Sequence, residues 1–173
     1  YKISDKDRLY LSMYNGRDKG YARYEYDSYI DNQTYDSREE SGLRWGNTIS
    51  ALRWNHLFSN KLFSNLTLTY SRYNFDVFYE DEYFTRNRGQ EARREFYSEQ
   101  YLSGIDDWAA RLDFDYFASN RHSVKFGASA IYHTFRPGAL SYLGEEREEI
   151  IAGSATTYAT ETAVYVEDDI KIT

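Results

Sequence analysis

Tyr21, Tyr24, Tyr26 and Tyr29 are interleaved with Arg23, Glu25 and Asp27, the densest chemistry in the chain. Ring faces at that spacing stack on a sugar or a catechol, and the charges between them would orient it. The same residues also fit a plain strand extension with cross-strand tyrosine pairs, and that reading is preferred. Arg86, Arg88, Arg93 and Arg94 form a basic cluster suited to bidentate capture of an anion. Ion pairing with Glu91, Glu95 and Glu99 competes with that role and is favoured over it. The run Glu145-Glu146-Arg147-Glu148-Glu149 offers carboxylates to Ca²⁺ but lacks the spaced ligands of a calcium loop, so it reads as a solvated charge run. His56, His122 and His133 stand far apart, with no metal-ligand spacing. Asp107, Asp113 and Asp115 are candidates for acid–base work, but no serine or histidine constellation accompanies them. They are better placed on a water-facing surface with Arg111, Lys125 and His133. No catalytic residue, metal ligand or cofactor is expected.

Strands must position these residues. From Asp107 to Ala118, Trp108, Ala110, Leu112, Phe114 and Tyr116 share one parity, and Asp107, Arg111, Asp113 and Asp115 share the other. Strand side chains alternate faces, so one face is apolar and the other charged. Val124, Phe126, Ala128, Ala130 and Tyr132 repeat the pattern against Lys125, Gly127, Ser129 and His133, with only Ile131 out of place. Weaker alternation marks 8–15, 62–79 and 158–173. Residues 43–58 are ambiguous, because Ile49 and Ala51 share a parity with Arg53, and a bulge is the expected remedy.

The connections alternate in length. Ser59-Asn60-Lys61 and Ser119–His122 are short and polar, as hairpins require. The segments 17–42, 80–104 and 136–157 read as long loops of 26, 25 and 22 residues. Strict alternation puts all three at one end of an up-and-down sheet, the asymmetry of outer-membrane barrels. The three segments hold 17 acids and 10 bases, the whole of the net charge of −7, while the rest of the 173 residues holds 11 of each. The mean hydropathy of −0.80 is therefore no argument for solubility. A spanning strand needs only about 9–11 residues, half of them apolar.

Composition narrows the function classes. The absence of cysteine excludes disulfide scaffolds and thiolate chemistry. A pI near 5.0 argues against a general nucleic-acid binder. No stretch suits a spanning helix. Tyr70, Tyr116 and Tyr132, near strand ends, fit interfacial girdles. The expected fold is all-β: an antiparallel up-and-down transmembrane β-barrel, represented here by about six strands. Single-chain barrels have at least about eight strands, so these six belong to a larger barrel. The first residue is Tyr and the last run is strand-like, which agrees with a piece of a longer chain.

A family resemblance adds to this. The run Trp45-Gly46-Asn47-Thr48-Ile49-Ser50-Ala51-Leu52-Arg53-Trp54-Asn55-His56 resembles barrel strands of TonB-dependent outer-membrane receptors, particularly those of Bacteroidetes. So do residues 61–73, the pair His122–Gly127 and His133–Gly138, and Tyr165–Thr173. The resemblance implies a 22-stranded barrel with an N-terminal plug, which is absent from this sequence. It implies TonB-driven uptake of a ferric siderophore, haem, cobalamin, glycan or peptide across the outer membrane of a Gram-negative bacterium. The implied partners are outer-membrane lipid, the remaining strands and plug, TonB through the plug, and a surface lipoprotein. Two other classes compete: a soluble extracellular β-sandwich binding glycans through its tyrosines, and an outer-membrane barrel enzyme using Asp113.

Overall fold

The computed structural model describes residues 1–30, 33–87, 92–143, 149–153 and 155–172. All regular structure among them is β: β1 (Asp7–Ile30), β2 (Gln33–Ser59), β3 (Leu62–Asn87), β4 (Arg93–Phe117), β5 (His122–Leu143), β6 (Glu149–Gly153) and β7 (Thr157–Ile170). They form one antiparallel sheet in sequence order. The position beside β5 is shared: β7 pairs with His122–Phe135 and β6 with Ala139–Leu143, so seven segments fill six places. The all-β, up-and-down order expected from the sequence is present.

The three long loops are not. The segment 17–42 is almost entirely strand, with Arg17 opposite Gly46 and Ile30 opposite Gln33 in unbroken register. Residues 80–85 likewise pair with 93–98, the ladder continues through 99–104 opposite 74–79, and β5 runs on to Leu143. The 24 to 27 residues of β1–β4 would span roughly 80–90 Å if fully straight, far beyond a bilayer. The reason lies in what hydropathy misses. These stretches are polar on both faces, yet rich in tyrosine and phenylalanine and laddered by opposite charges, which pair well across strands.

Directly paired residues share a face, so the register sorts the side chains without ambiguity. One row runs Leu9, Trp54, Leu66, Leu112, Ala128 and Val164 across the sheet. Another, Met13, Ser50, Tyr70, Trp108, Tyr132 and Thr160, lies four residues higher on β1. Below the charged row of Arg72 and Asp106, this face is uncharged over Leu62–Tyr70, Trp108–Tyr116 and Val124–Tyr132, a nine-residue span on each strand; the two lowest rows carry charge only toward the sheet's sides, at Asp7 and Asp168. We call it the band face. Its upper limit is aromatic: Tyr70 and Trp108 have ring centroids 4.6 Å apart, and Tyr132 stacks on Tyr158 at 5.9 Å. Near its lower limit Phe114 stacks on Phe126 at 4.9 Å.

Nothing among the described residues covers this band. Leu11 is 76% exposed and Val164 84%. Phe78 is the one buried hydrophobic residue, and it lies above the band. A β-sandwich buries its apolar face against a second sheet; here the sheet is single.

The parity conflict in 43–58 resolves without a bulge between the conflicting residues 49 and 54. Ile49, Ala51 and Arg53 lie together on the reverse face, while Ser50, Leu52 and Trp54 lie on the band face. The register shift comes later, between Leu57 and Ser59, beside the hairpin turn. A second antiparallel contact precedes β1: Tyr1 exchanges backbone hydrogen bonds with Leu9 (2.8 and 2.6 Å), and Lys2 bridges to Arg8, around a turn capped by Ser4.

Candidate functional site

The six polar candidates of β4 and β5 all fall on the reverse face at the level of the band. Asp113 accepts from Arg111 Nε at 2.9 Å and from the Tyr165 hydroxyl at 2.7 Å. His133 Nδ1 lies 2.8 Å from Asp107, its cross-strand neighbour, and His133 Nε2 lies 3.7 Å from Glu161. Asp115 stands directly opposite Lys125. Arg111 and Asp113 help line a depression of about 420 Å³ with Arg53, Asn65, Thr67 and Ser129. Asn55 Oδ1 and Asn65 Oδ1, opposite one another on this wall, are buried without a hydrogen-bond partner. The wall is polar, and two of its acceptors lack a protein donor among the described residues.

Above the band, the reverse face changes character. Tyr24, Glu39, Asp81 and Tyr97 form one cross-strand row, and Tyr26, Ser37, Tyr83 and Glu95 the next. Tyr79 meets Tyr97 edge-on at 6.3 Å, and Tyr101 and Trp45 continue the aromatic surface toward the band. The hydroxyls are tied down. Tyr79 donates to Asp81 at 3.3 Å and Tyr97 to Glu99 at 3.4 Å. Burial raises the Tyr79 hydroxyl above its ordinary pKa, and the hydrogen bond to Asp81 does the same for Tyr83. At the tip, Tyr26, Tyr35, Tyr83 and Phe84 bound a largely apolar cleft of about 350 Å³.

Charge is segregated between the faces. Over residues 16–47, 73–86 and 93–105 the reverse face carries Asp18, Glu39, Asp81, Glu95 and Glu99 against Arg93 alone. Over the same rows of the band face acids and bases balance. Glu39 and Asp81 are directly opposed, an unfavourable pair that a cation or hydroxyl donors would relieve.

The predicted site residues are therefore only partly brought together. Tyr24 and Tyr26 share the reverse face, whereas Tyr21 and Tyr29 lie on the band face. Arg86 and Arg94 are also on the band face, Arg94 paired with Glu82. Arg93 is on the reverse face, 2.7 Å from Glu95. Arg88, Glu91 and residues 145–148 lie outside the described residues. The three described members of the arginine cluster, Arg86, Arg93 and Arg94, are divided between the two faces. Tyr35, Tyr79, Tyr83, Tyr97 and Tyr101 were missed, although period-two spacing in Tyr79-Glu80-Asp81-Glu82-Tyr83 carried the signal. Glu40 was missed as well. It is 4% exposed on the band face and receives Arg23 (2.5 and 2.8 Å), Lys19 and, at 3.6 Å, Arg38.

No family model matches the chain, and no curated protein matches it.

Proposed function

We propose that this chain is a stretch of wall of an outer-membrane receptor that binds a scarce nutrient and imports it with TonB-coupled energy. The observation that carries the proposal is the band: over nine-residue spans, three adjacent strands each present five uncharged side chains to the same uncovered face, edged by aromatic rings. That is the length of strand a hydrocarbon core needs, with the girdle such barrels place at the interface. The reverse face then borders a polar lumen below and a vestibule above. A six-place sheet leaves edges that hydrocarbon does not tolerate. The contact of Tyr1 and Lys2 with β1 supports a further strand on that side, and a barrel larger than this sheet. The short turns are then periplasmic and the strand extensions extracellular.

The vestibule wall favours some cargoes over others. Its rings and carboxylates suit a neutral polyhydroxylated cargo such as a glycan, or a cationic peptide. It offers little to a polyanionic ferric siderophore. The test uses cells bearing the full-length protein, given a labelled linear oligosaccharide and a ferric tricatecholate. Oligosaccharide uptake abolished by a protonophore is the expected result. Removing a ring that the cargo stacks on, as in Tyr83→Ala or Tyr97→Ala, should weaken oligosaccharide binding by about tenfold. If the 173-residue chain is folded and monodisperse in plain buffer, without lipid or detergent, the barrel proposal fails.

A further inference from the structure

Above the row of Tyr70 and Trp108 the two faces exchange character. On the reverse face, Tyr73 and Ile105 are followed by Trp45 and Phe75, then by Leu43, Val77 and Tyr101, and Asp18 is the only charge in those three rows of β1–β4. The band face over the same stretch carries Arg17, Lys19, Arg44 and Asp76. Lower down, the apolar face is the other one. A sheet wet on both sides gives its apolar side chains no reason to collect on one of them, so this stretch is built for a dry neighbour on its reverse face. Among the described residues nothing supplies one, and Leu43, Trp45, Val77 and Tyr101 are exposed. The Tyr101 ring lies over Gly138, in space that a Cβ would need, which fixes the ring against the wall.

Carboxylates cap these apolar rows. Glu99 stands one row above Tyr101, and the opposed pair Glu39 and Asp81 stands two rows above Leu43 and Val77. The nearby bases are engaged elsewhere: Arg38 with Glu25 and Glu40, Arg93 with Glu95, and Arg94 with Glu82. The patch is therefore apolar at one end and anionic at the other. Its apolar part measures roughly 14 Å along the strands and 10 Å across β2–β4. A guest that matches it has an apolar body and a cationic end. Sugar rings would use Tyr83 and Tyr97 but leave the aliphatic Leu43 and Val77 without a role.

We propose that this wall docks a short extended peptide in which two apolar side chains are followed by a base, in the order apolar-x-apolar-x-Lys. An extended peptide laid along the strands repeats its wall-facing side chains every two residues, about 7 Å, which is the spacing of the rows themselves. The first apolar side chain covers Trp45 and Phe75, and the second covers Leu43, Val77 and Tyr101. The ammonium then falls beside Glu99 and reaches toward Glu39 and Asp81, where it relieves their repulsion. The inference rests on the receptor reading above and adds a second ligand class at the same wall, beside the polyhydroxylated cargo.

The experiment is fluorescence anisotropy of the full-length protein in detergent, read against empty micelles. The probes are a labelled, end-blocked Leu-Gly-Phe-Gly-Lys peptide, its counterpart ending in Glu, and its counterpart with Ser in place of Leu and Phe. The Lys peptide should bind about tenfold more tightly than either counterpart, and a linear oligosaccharide should displace it. Glu39→Gln combined with Asp81→Asn should erase the preference for Lys over Glu. Val77→Ser should weaken the Lys peptide severalfold and leave that preference intact, with folding of each variant checked by heat-modifiability on gels. Equal binding of the Lys and Glu peptides overturns the proposal, and so does equal binding of the apolar and Ser peptides. Oligosaccharide uptake without peptide binding defeats this inference alone, whereas a protein that needs no detergent defeats the receptor reading.

Discussion

Leu112→Arg should be among the most damaging single substitutions in the chain. Leu112 sits at the centre of the five side chains that β4 presents to the band face between Trp108 and Tyr116, in the row with Leu66 and Ala128. With lipid on that face, a guanidinium near the midplane costs roughly 2–4 kcal/mol. That is a large part of the stability of an ordinary domain. Urea titration of protein folded into vesicles should show the loss as a lower midpoint. Thr69→Arg, on the neighbouring β3 but on the reverse face, is the control. It lies opposite Ala51 and Ala109 on the polar wall, and its cost should stay within about 1 kcal/mol. Equal sensitivity at the two positions would contradict the assignment of faces. A soluble sheet would predict a different pattern, with Leu112→Arg on an exposed surface and nearly silent.

The second large effect concerns acid. Glu40 is buried among Arg23, Lys19 and Arg38, and the hydrogen bonds from Lys19 and Arg23 hold its carboxyl down at about 2, against an ordinary 4.5. A depressed carboxylate pKa stabilises the folded arrangement fully above the ordinary value. That stabilisation is lost as pH falls from about 4.5 toward 2. The consequence is local. Lys19 and Arg44 lie over the buried Phe78 ring, at 4.8 and 3.7 Å, so releasing Lys19 also uncovers Phe78. Hydrogen exchange in peptides covering 17–42 should accelerate across that pH window, while peptides covering 108–116 stay protected. Glu40→Gln should exchange rapidly in 17–42 already at neutral pH and lose the acid step. An unchanged acid step in the variant would show that another carboxylate carries it.

The sequence disclosed the lower half of the sheet far better than the upper half, for a physical reason. In β4 and β5 one face is apolar and the other charged, so alternation in hydropathy tracks alternation in space. In β2 the signal blurs because Ile49 and Ala51 face the polar wall, where nothing penalises them. In the upper half both faces are wet. Hydropathy then carries no period, and 17–42 reads as a loop although it is a hairpin. What holds that hairpin is pairing between strands, such as Arg23 and Lys19 with Glu40, and these contacts are visible only once the register is known. The same blindness split the tyrosines wrongly. Tyr21 and Tyr24 are three residues apart, an odd number, so they cannot share a strand face.

The net charge also has a finer location than the sequence allowed. It was confined to three segments, and the register divides the described part of those segments by face. Arginines and lysines fall mainly on the band face, while the reverse face is acidic and lined with rings. A sheet with a charge-balanced face on one side and an acidic, ring-lined face on the other has two different electrostatic surfaces back to back. Average charge and average hydropathy describe neither.

The most direct measurement uses the absence of native cysteine. Single cysteines placed in turn at each position from 108 to 116 can carry an environment-sensitive fluorophore, in full-length protein folded into vesicles containing brominated lipid. Labels at 108, 110, 112, 114 and 116 should be quenched strongly by the bromines, and labels at 109, 111, 113 and 115 should not. Quenching without a two-residue period, or quenching of the odd set, would contradict the claim that the face of Trp108, Leu112 and Tyr116 meets lipid.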